Sequence, residues 1–344
     1  MKFTLRVPVW LCFALVLVGQ VFPQFNRRVS NVGTVAAPFL EIGIGARSLG
    51  MGEAFVAVAN DISAIYWNPA GLVNLTRVES QFFHSPWLAG IRFDHAAVGI
   101  PIERVGSLGL FYTGVIMDDM LVRNVVYPEG TGEYFGANDL TLGVSMARHL
   151  TDRFAFGFNT KFIQEQIWHM SAVSFAVDVG VLFITKNRGI RIGMSISNFG
   201  QKMRLEGRDT HWNVDIDEEK EGNNDRIAAH LDTWDWPLPM LFRVGISKDI
   251  IQGERHYLTV AIDAVHPNDN LEYVNAGIEY TWLDMLSLRV GHSNLFLEDA
   301  QQGLSLGAGL KYQIKNQFVL KLDYVSRTFG VFENVTGYSL SLAF

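Results

Sequence analysis

Long runs of period-two alternation fill the chain from Val78 to its last residue. Within 172–181 every second residue is valine or phenylalanine, and the residues between them are small or polar. Successive side chains of a β-strand point to opposite faces, so each such run predicts a strand with one apolar face. About fourteen runs occur, an even number of the kind that single-chain outer-membrane barrels use. The predicted strands cover 78–86, 91–102, 105–116, 138–149, 153–167, 172–185, 189–198, 238–249, 256–265, 271–282, 285–292, 303–314, 317–326 and 335–344.

A soluble β-sandwich is the alternative, because its strands alternate in the same way. Three features favour a transmembrane barrel. The runs are about ten residues long, whereas soluble strands peak near five or six. Short turns such as 103–104 and 283–284 alternate with longer connections at 117–137, 199–237, 293–302 and 327–334, as expected for short periplasmic turns and longer outer loops. Aromatic residues fall near strand ends, where interfacial girdles lie: Tyr112, Trp168, Tyr280, Trp282, Tyr312 and Tyr324.

The stretch from Ala37 to Val73 breaks the alternation and predicts a helical or irregular plug inside the barrel lumen. Asp61 or Ser63 can cap a short helix, and Pro69 can occupy the first turn after Asn68. The glycines lack the spacing and the following Gly-Lys-Ser/Thr of a phosphate-binding loop, so we expect them to permit tight packing in a narrow lumen. The motif residues are Gly43, Gly45, Arg47, Gly50, Gly52, Asn60, Asp61, Trp67, Asn68, Pro69, Ala70 and Gly71.

The N-terminal residues 1–24 predict a signal peptide, with Lys2 and Arg6 before a short apolar core. A transmembrane anchor is the alternative, but the apolar run is short for a helical span of about twenty residues. The predicted organisation is therefore a signal peptide at 1–24, a plug segment at 25–77 and a barrel at 78–344 in the outer membrane.

Composition excludes several classes of function. The net charge of −7 argues against nucleic-acid binding, which needs clustered lysine and arginine. The single cysteine, Cys12, lies in the leader, so disulfide and cysteine-metal chemistry are not expected. The nine histidines are scattered without metal-ligand spacing. We therefore expect neither an enzyme nor a cofactor or metal.

The last strand places an aromatic residue at the C-terminus. Tyr338, Leu340, Leu342 and Phe344 share one face of this strand. Such an ending resembles the signal that the outer-membrane barrel-assembly machinery reads.

The predicted loop 199–237 is too long to be a simple connector. It combines an acidic centre around 215–221 with Trp212, Trp234 and Trp236. Exposed tryptophans can anchor a partner or lipopolysaccharide sugars. The alternative is a solvated acidic loop whose tryptophans fold back onto the barrel rim, and the sequence leaves both open.

Ionisable residues also recur on the small or polar strand faces that would line the lumen. Opposite charges there must pair or be hydrated. They predict either a salt-bridged network that holds the plug or a wet channel. The candidates are Lys161, Asp178, Arg191, Arg243, Asp263, Glu279, Arg289, Lys311, Lys321 and Asp323.

The segment from Gly33 to Leu75, GTVAAPFLEIGIGARSLGMGEAFVAVANDISAIYWNPAGLVNL, resembles the N-terminal signature of the PorV/PorQ family. That family lies within the wider FadL-type barrels, which share the Asn68-Pro69-Ala70 segment. The resemblance implies a fourteen-stranded barrel with its N-terminal segment in the lumen as a hatch. Glu53 departs from it, because glycine is expected there; a carboxylate at this place can pair with Arg47 or another lumen cation.

The resemblance also implies two functions. PorV-like members support type IX secretion, with secretion-machinery proteins or exported substrates as partners beside outer-membrane lipid. FadL-type members admit hydrophobic small molecules. The short chain favours the first, so protein export is the leading hypothesis. The transporter alternative predicts a greasy pocket beneath the outer loops, continuous with a gap in the wall near the plug.

Overall fold

The computed structural model describes residues 30–186, 189–222, 226–314 and 317–344. The predicted signal peptide at 1–24 lies outside them. Fourteen long strands form one antiparallel sheet, in agreement with the prediction. They are β1 Glu79–Pro86, β2 Arg92–Ile102, β3 Gly106–Ile116, β4 Ala137–Thr151, β5 Phe154–Ile167, β6 Met170–Ile184, β7 Ile190–Gly200, β8 Leu241–Gln252, β9 His256–Pro267, β10 Tyr273–Trp282, β11 Leu286–Leu295, β12 Gln302–Ile314, β13 Phe318–Phe329 and β14 Phe332–Ala343.

The sheet closes into a barrel because β14 pairs with β1. Glu79 lies opposite Ala343, and His84 lies opposite Tyr338. Each of the other strands pairs with its neighbours in sequence, so the order is a simple meander. Closure leaves no unpaired sheet edge, which a membrane would not tolerate.

The alternation sorts side chains between lipid and lumen as the sequence predicts. On β6, Phe175 is 60% exposed, whereas the adjacent Ser174 is 1% exposed. The apolar side chains that would be core residues in a sandwich therefore form the outer surface. The barrel is a transmembrane one, and its small and polar residues face inwards. No helix within the described ranges is long and apolar enough to cross a membrane.

Connections at the two ends of the barrel differ in length. The longest, between β7 and β8, contains two short two-stranded pairings, Met203–Arg204 with Asp235–Trp236 and His211–Val214 with Ile227–His230. The remaining short elements are the strands Met120–Leu121, Tyr134–Phe135 and Glu206–Gly207 and the 3-10 turns Leu88–Gly90 and Arg208–Thr210.

The prediction of a long connection at 327–334 is wrong. β13 and β14 continue as a hairpin until Phe329 lies opposite Phe332. Gly330, at φ 52°, permits the tight turn. Polar residues interrupt the apolar pattern there, but a strand that leaves the bilayer keeps its backbone hydrogen bonds after its outer side chains become polar.

The plug consists of four short helical elements inside the barrel: Pro38–Glu41, Ala46–Gly50, Ala64–Trp67 and Pro69–Asn74. Leu49, Met51, Phe55 and Trp67 are at most 1% exposed and form its centre. Each such side chain contributes roughly 1.5–3 kcal/mol on burial. The helices of the plug are too short to be stable alone, so apolar packing holds the segment together.

The described chain begins at the long-loop end of the barrel. Ser30 Oγ lies 3.2 Å from Asn270 Oδ1 in the β9–β10 connection. The Ala36 backbone N–H donates to the Pro237 carbonyl at 2.9 Å. From there the chain descends through the lumen to the plug and reaches β1 at the short-turn end. We refer to 30–44 as the descending segment.

Candidate functional site

The plug and the wall around it form the most highly organised polar site in the described residues. Arg47 joins the two. Its guanidinium lies 2.7 Å from Asp61 Oδ2 within the plug and 2.7 Å from Glu279 Oε1 on β10. The network continues into the wall, because Arg289 lies 2.6 Å from both Glu279 and Asp323. Burial on its own would lower the pKa of Arg47, because it disfavours the charged form. The neighbouring carboxylates of Glu279 and Asp61 have the larger effect and raise this pKa well above its usual value.

Glu53 forms a second ion pair between plug and wall, but its partner is Arg327 on β13, at 3.0 Å. The suggestion of Arg47 as its partner is wrong, because Arg47 is engaged by Asp61 and Glu279. The alternative, another lumen cation, is correct. Glu53 has φ 65°, in the left-handed region that glycine adopts without strain, which explains the expectation of glycine there.

Asp263 on β9 binds the plug backbone directly. One of its carboxylate oxygens accepts from the N–H groups of Phe55 and Val56, at 2.7 and 2.8 Å. Ser339 on β14 similarly accepts from the Ala46 N–H at 2.8 Å. The sequence placed Asp263 in the lumen but did not identify Ser339. In the sequence, such a serine could be recognised because it alternates with the outward-facing apolar residues of its strand and therefore faces the lumen.

The Asn-Pro-Ala motif ties the end of the plug to the wall. Asn68 donates from Nδ2 to the carbonyls of Val56 and Val181, both at 2.9 Å. Its Oδ1 accepts from Ala70 N–H, and Pro69 follows at the first helical position. Asn68 therefore caps this helical turn, and Pro69 occupies its first position as predicted. Trp67 donates to the Ile44 carbonyl at 2.9 Å and holds the descending segment against the motif.

Glycines allow the plug backbone to touch the wall. A Cβ at Gly277 would overlap the Met51 carbonyl, and one at Gly291 would overlap Gly52. On the plug side, Gly50 lies against Gly307. These contacts explain why the inward strand faces carry so many small residues.

The remaining plug-motif residues also lie within the plug or at its contact with the barrel wall. Asn60 accepts from Arg47 at 2.6 Å, and Asp61 accepts from Ser63 N–H at 3.0 Å. Gly43 lies beside Leu49 and Trp67, Gly45 has φ 88°, and Gly71 lies against Ala59. Glu279, Arg289 and Asp323 thus belong to a salt-bridged network that holds the plug. Other predicted lumen charges pair within the wall, as Lys161 does with Asp178 and Arg191 with Asp249, while Arg243 lies over the Trp67 ring.

A small pocket of about 20 Å³ lies on the long-loop side of the plug. The descending segment gives it an apolar side through Phe39, Leu40, Ile42 and Ile44. The wall gives it polar groups from β2 to β6. These are His95, Thr113, Thr141, Lys161 and Asp178. A largely apolar pocket with a few polar groups is typical of small-molecule sites, although here protein side chains fill it.

A larger cavity of about 410 Å³ lies on the short-turn side. Its lining is charged and includes Arg47, Glu79, Lys321 and Asp323. Lys321 and Glu79 pair at 2.7 Å. The two sides of the plug therefore differ: the long-loop side is narrow and apolar, and the short-turn side is wide and polar. Around the described barrel every strand pairs with both neighbours, so the wall gap that the transporter alternative predicts is not seen.

The predicted loop tryptophans do not lie near the plug. Trp212, Trp234 and Trp236 are 65%, 80% and 42% exposed on the β7–β8 connection. Trp212 and Trp234 are thus open to solvent, whereas Trp236 is partly covered and pairs with Met203. Tyr338 and Leu340 face outwards on β14 and are 49% and 47% exposed, and Leu342 shares their face. Phe344 directly follows β14 and is 52% exposed.

Among the described residues no cluster of three or more histidine, cysteine, aspartate or glutamate side chains could hold a metal ion. The site offers hydrogen bonds, ion pairs and an apolar pocket. The prediction that the protein is not an enzyme stays a prediction.

Comparisons with known proteins agree with this geometry. The model of an uncharacterised protein family, UPF0164, matches residues 26–121, which include the plug and the first three strands. No curated protein matches the sequence.

Solved FadL-like structures share the fold. A Pseudomonas aeruginosa FadL homologue is 13% identical, with 87% of this chain and 98% of that one covered, at a TM-score of 0.52. The Ralstonia pickettii toluene transporter TbuX is 12% identical, with 88% and 97% covered, at 0.52. The Pseudomonas putida toluene transporter TodX is 11% identical, with 87% and 97% covered, at 0.52. The chain therefore has the FadL-type barrel fold; a specific PorV/PorQ assignment does not follow.

Proposed function

We propose that this protein is an outer-membrane transporter that admits hydrophobic small molecules, the second hypothesis of the sequence analysis. The apolar pocket on the long-loop side of the plug is the observation that favours it most. The shared fold with proteins named as toluene transporters supports the same function. The protein-export hypothesis has no support from these comparisons.

The described state is closed, because the descending segment occupies the pocket. Phe39 and Leu40 are 4% and 7% exposed and pack against Ile163 and Ala172 of the wall. Hydrogen bonds also hold the segment: beside the Ala36 and Ile44 contacts described above, Ala37 N–H donates to Glu165 at 2.9 Å, and Tyr66 donates to the Leu40 carbonyl at 3.1 Å. A hydrophobic solute can replace these apolar side chains at small cost, since it offers the same kind of surface.

Uptake of radiolabelled toluene by a Gram-negative host tests the proposal. Wild-type protein is expected to raise the initial rate above that of cells with empty vector. The double variant F39A/L40A is expected to raise it several-fold further, because it empties the pocket and leaves the plug network intact. Val125 is fully exposed, so V125A is the matched control and should behave as wild type.

Uptake of sucrose, a polar solute, is measured in the same cells and should not change. Correct folding is verified by heat-modifiable migration in gels. The proposal is refuted if folded wild type and F39A/L40A both leave toluene uptake at the vector level, or if sucrose uptake rises equally.

The β7–β8 connection supports a second proposal, docking of a protein partner, because its tryptophans are exposed. Deletion of 205–233 joins two segments that already meet, since Arg204 lies opposite Asp235. If the loop captures secretion components or exported proteins, the deletion should abolish their co-purification from outer membranes in mild detergent. Unchanged co-purification would refute a docking role.

A further inference from the structure

Three polar residues form a row across the inner wall of the pocket. His95 on β2 lies opposite Thr113 on β3, and Thr113 lies opposite Thr141 on β4. Directly opposed side chains on neighbouring strands have Cβ atoms about 4.5–5.5 Å apart. All three side chains line the same small pocket.

Two atoms of this row have no hydrogen-bond partner among the described protein atoms. His95 is 0% exposed, and its Nδ1 lies 2.9 Å from Thr113 Oγ1, while its Nε2 is unpaired. Thr141 is 1% exposed, and its Oγ1 is also unpaired. A buried polar atom without a partner is unfavourable, so such atoms are usually hydrogen-bonded.

The cation of the pocket is not free to bind an anion. Lys161 lies 2.7 Å from Asp178 and also donates to Asn198. A carboxylate entering the pocket would be a buried charge without a counter-ion, which is strongly unfavourable. The pocket thus favours a neutral molecule.

A hydroxyl group matches the two unpaired atoms. If His95 Nδ1 carries the ring proton, Nε2 accepts; in the other tautomer Nε2 donates. A hydroxyl both donates and accepts, so it fits either tautomer and can bind Thr141 Oγ1 as well. The space beside them, about 20 Å³, is enough for one such polar atom, while Phe39 and Leu40 occupy the place of an apolar body.

We propose that the pocket selects neutral molecules with an apolar body and one hydroxyl, and that His95 Nε2 and Thr141 Oγ1 bind that hydroxyl. The apolar body replaces the side chains of Phe39 and Leu40. This inference rests on the proposed transport function and specifies the substrate class of the same site.

Binding by the full-length F39A/L40A protein in nanodiscs tests the selection. The removed side chains leave a space on the order of the 150 Å³ cavity that holds benzene in other proteins. Three probes of similar size are compared by calorimetry against protein-free nanodiscs: p-cresol, p-xylene and 4-methylbenzoate. We expect p-cresol to bind at least tenfold more tightly than either of the others.

Adding H95F and T141V removes the polar atoms and nearly preserves the side-chain volumes. The affinity for p-cresol should then fall to that for p-xylene, while p-xylene binding does not weaken. If this variant does not fold, T141V alone should reduce p-cresol affinity several-fold. Preference for 4-methylbenzoate, equal binding of p-cresol and p-xylene, p-cresol binding unaffected by the substitutions, or no binding of any probe would each overturn the inference.

The outcome is separable from that of the transport assay. Toluene has no hydroxyl, so toluene uptake with no preference for p-cresol would leave the proposed transport intact and reject only the selection. Selective p-cresol binding without uptake would reject the transport.

Discussion

Replacing Arg47 by methionine should loosen the plug without affecting barrel closure. The Arg47 side chain is 21% exposed, and its carboxylate partners Asp61 and Glu279 are each 7% exposed. Removing one partner of a buried ion pair costs about 3–5 kcal/mol. The lower value applies here, since Glu279 keeps Arg289 at 2.6 Å and only Asp61 loses its ion-pair partner.

A loss of about 3 kcal/mol corresponds to a factor of about 150 in the opening equilibrium of the plug. Hydrogen–deuterium exchange with mass spectrometry measures this opening on peptides from 45–70, compared with barrel peptides of the same sample. R47M should accelerate exchange of the plug amides by about two orders of magnitude and leave β4–β6 unchanged.

Two variants serve as controls. K311M breaks a pair with Asp284 in which the side chains are 37% and 74% exposed; such pairs contribute about 0–1 kcal/mol, and plug exchange should not change. R47M/D61N removes the orphaned carboxylate and should restore most of the protection. A less than tenfold effect of R47M, or no recovery in the double variant, would refute the view that this network holds the plug.

Three further predictions concern the contact between plug and wall, the descending segment and the C-terminal residue. G277V places side-chain atoms against the Met51 carbonyl and should raise single-channel conductance in planar bilayers by displacing the plug; unchanged conductance would contradict this close contact. Burial, aided by the charge of Asp269, raises the pKa of Glu41 from 4.5 to about 7, so the folded state retains a proton that the unfolded segment loses. Docking should therefore weaken as pH rises from about 4.5 to 7, seen as faster proteolysis within 30–44, and E41Q should remove the dependence. Removing Phe344, which is 52% exposed, should reduce the folded, heat-modifiable fraction in outer membranes; full assembly would argue against its role as an assembly signal.

Local pattern was sufficient for the wall of the barrel. The alternation around Phe175 predicts a strand and its lipid-facing side, because strand geometry imposes that period on every residue. The caps at Asp61 and Asn68 are also local, since donor and acceptor lie within a few residues. The hairpin at Gly330 was not predicted, because the polar residues there end the alternating pattern although the strands stay paired.

The partners within the lumen were not predictable in this way. Glu53 and Arg327 are far apart in sequence, and Arg47 was an equally reasonable partner until Asp61 and Glu279 were found to occupy it. Choice among many charges depends on which strands meet the plug and at which level. The order of the strands does not give the height of each side chain along the barrel axis. That height also depends on the register between every pair of neighbouring strands.

Sequence pattern alone was therefore enough to predict a lipid-facing barrel of about fourteen strands with a glycine-rich segment in its lumen. Those features follow from the period of a strand and from local turn chemistry. The three-dimensional fold was needed to show which charges join the plug to the wall. It was also needed to place His95 and Thr141 in the lining of one small pocket with Phe39 and Leu40. Contacts between residues distant in sequence depend on register and closure, which no local pattern contains.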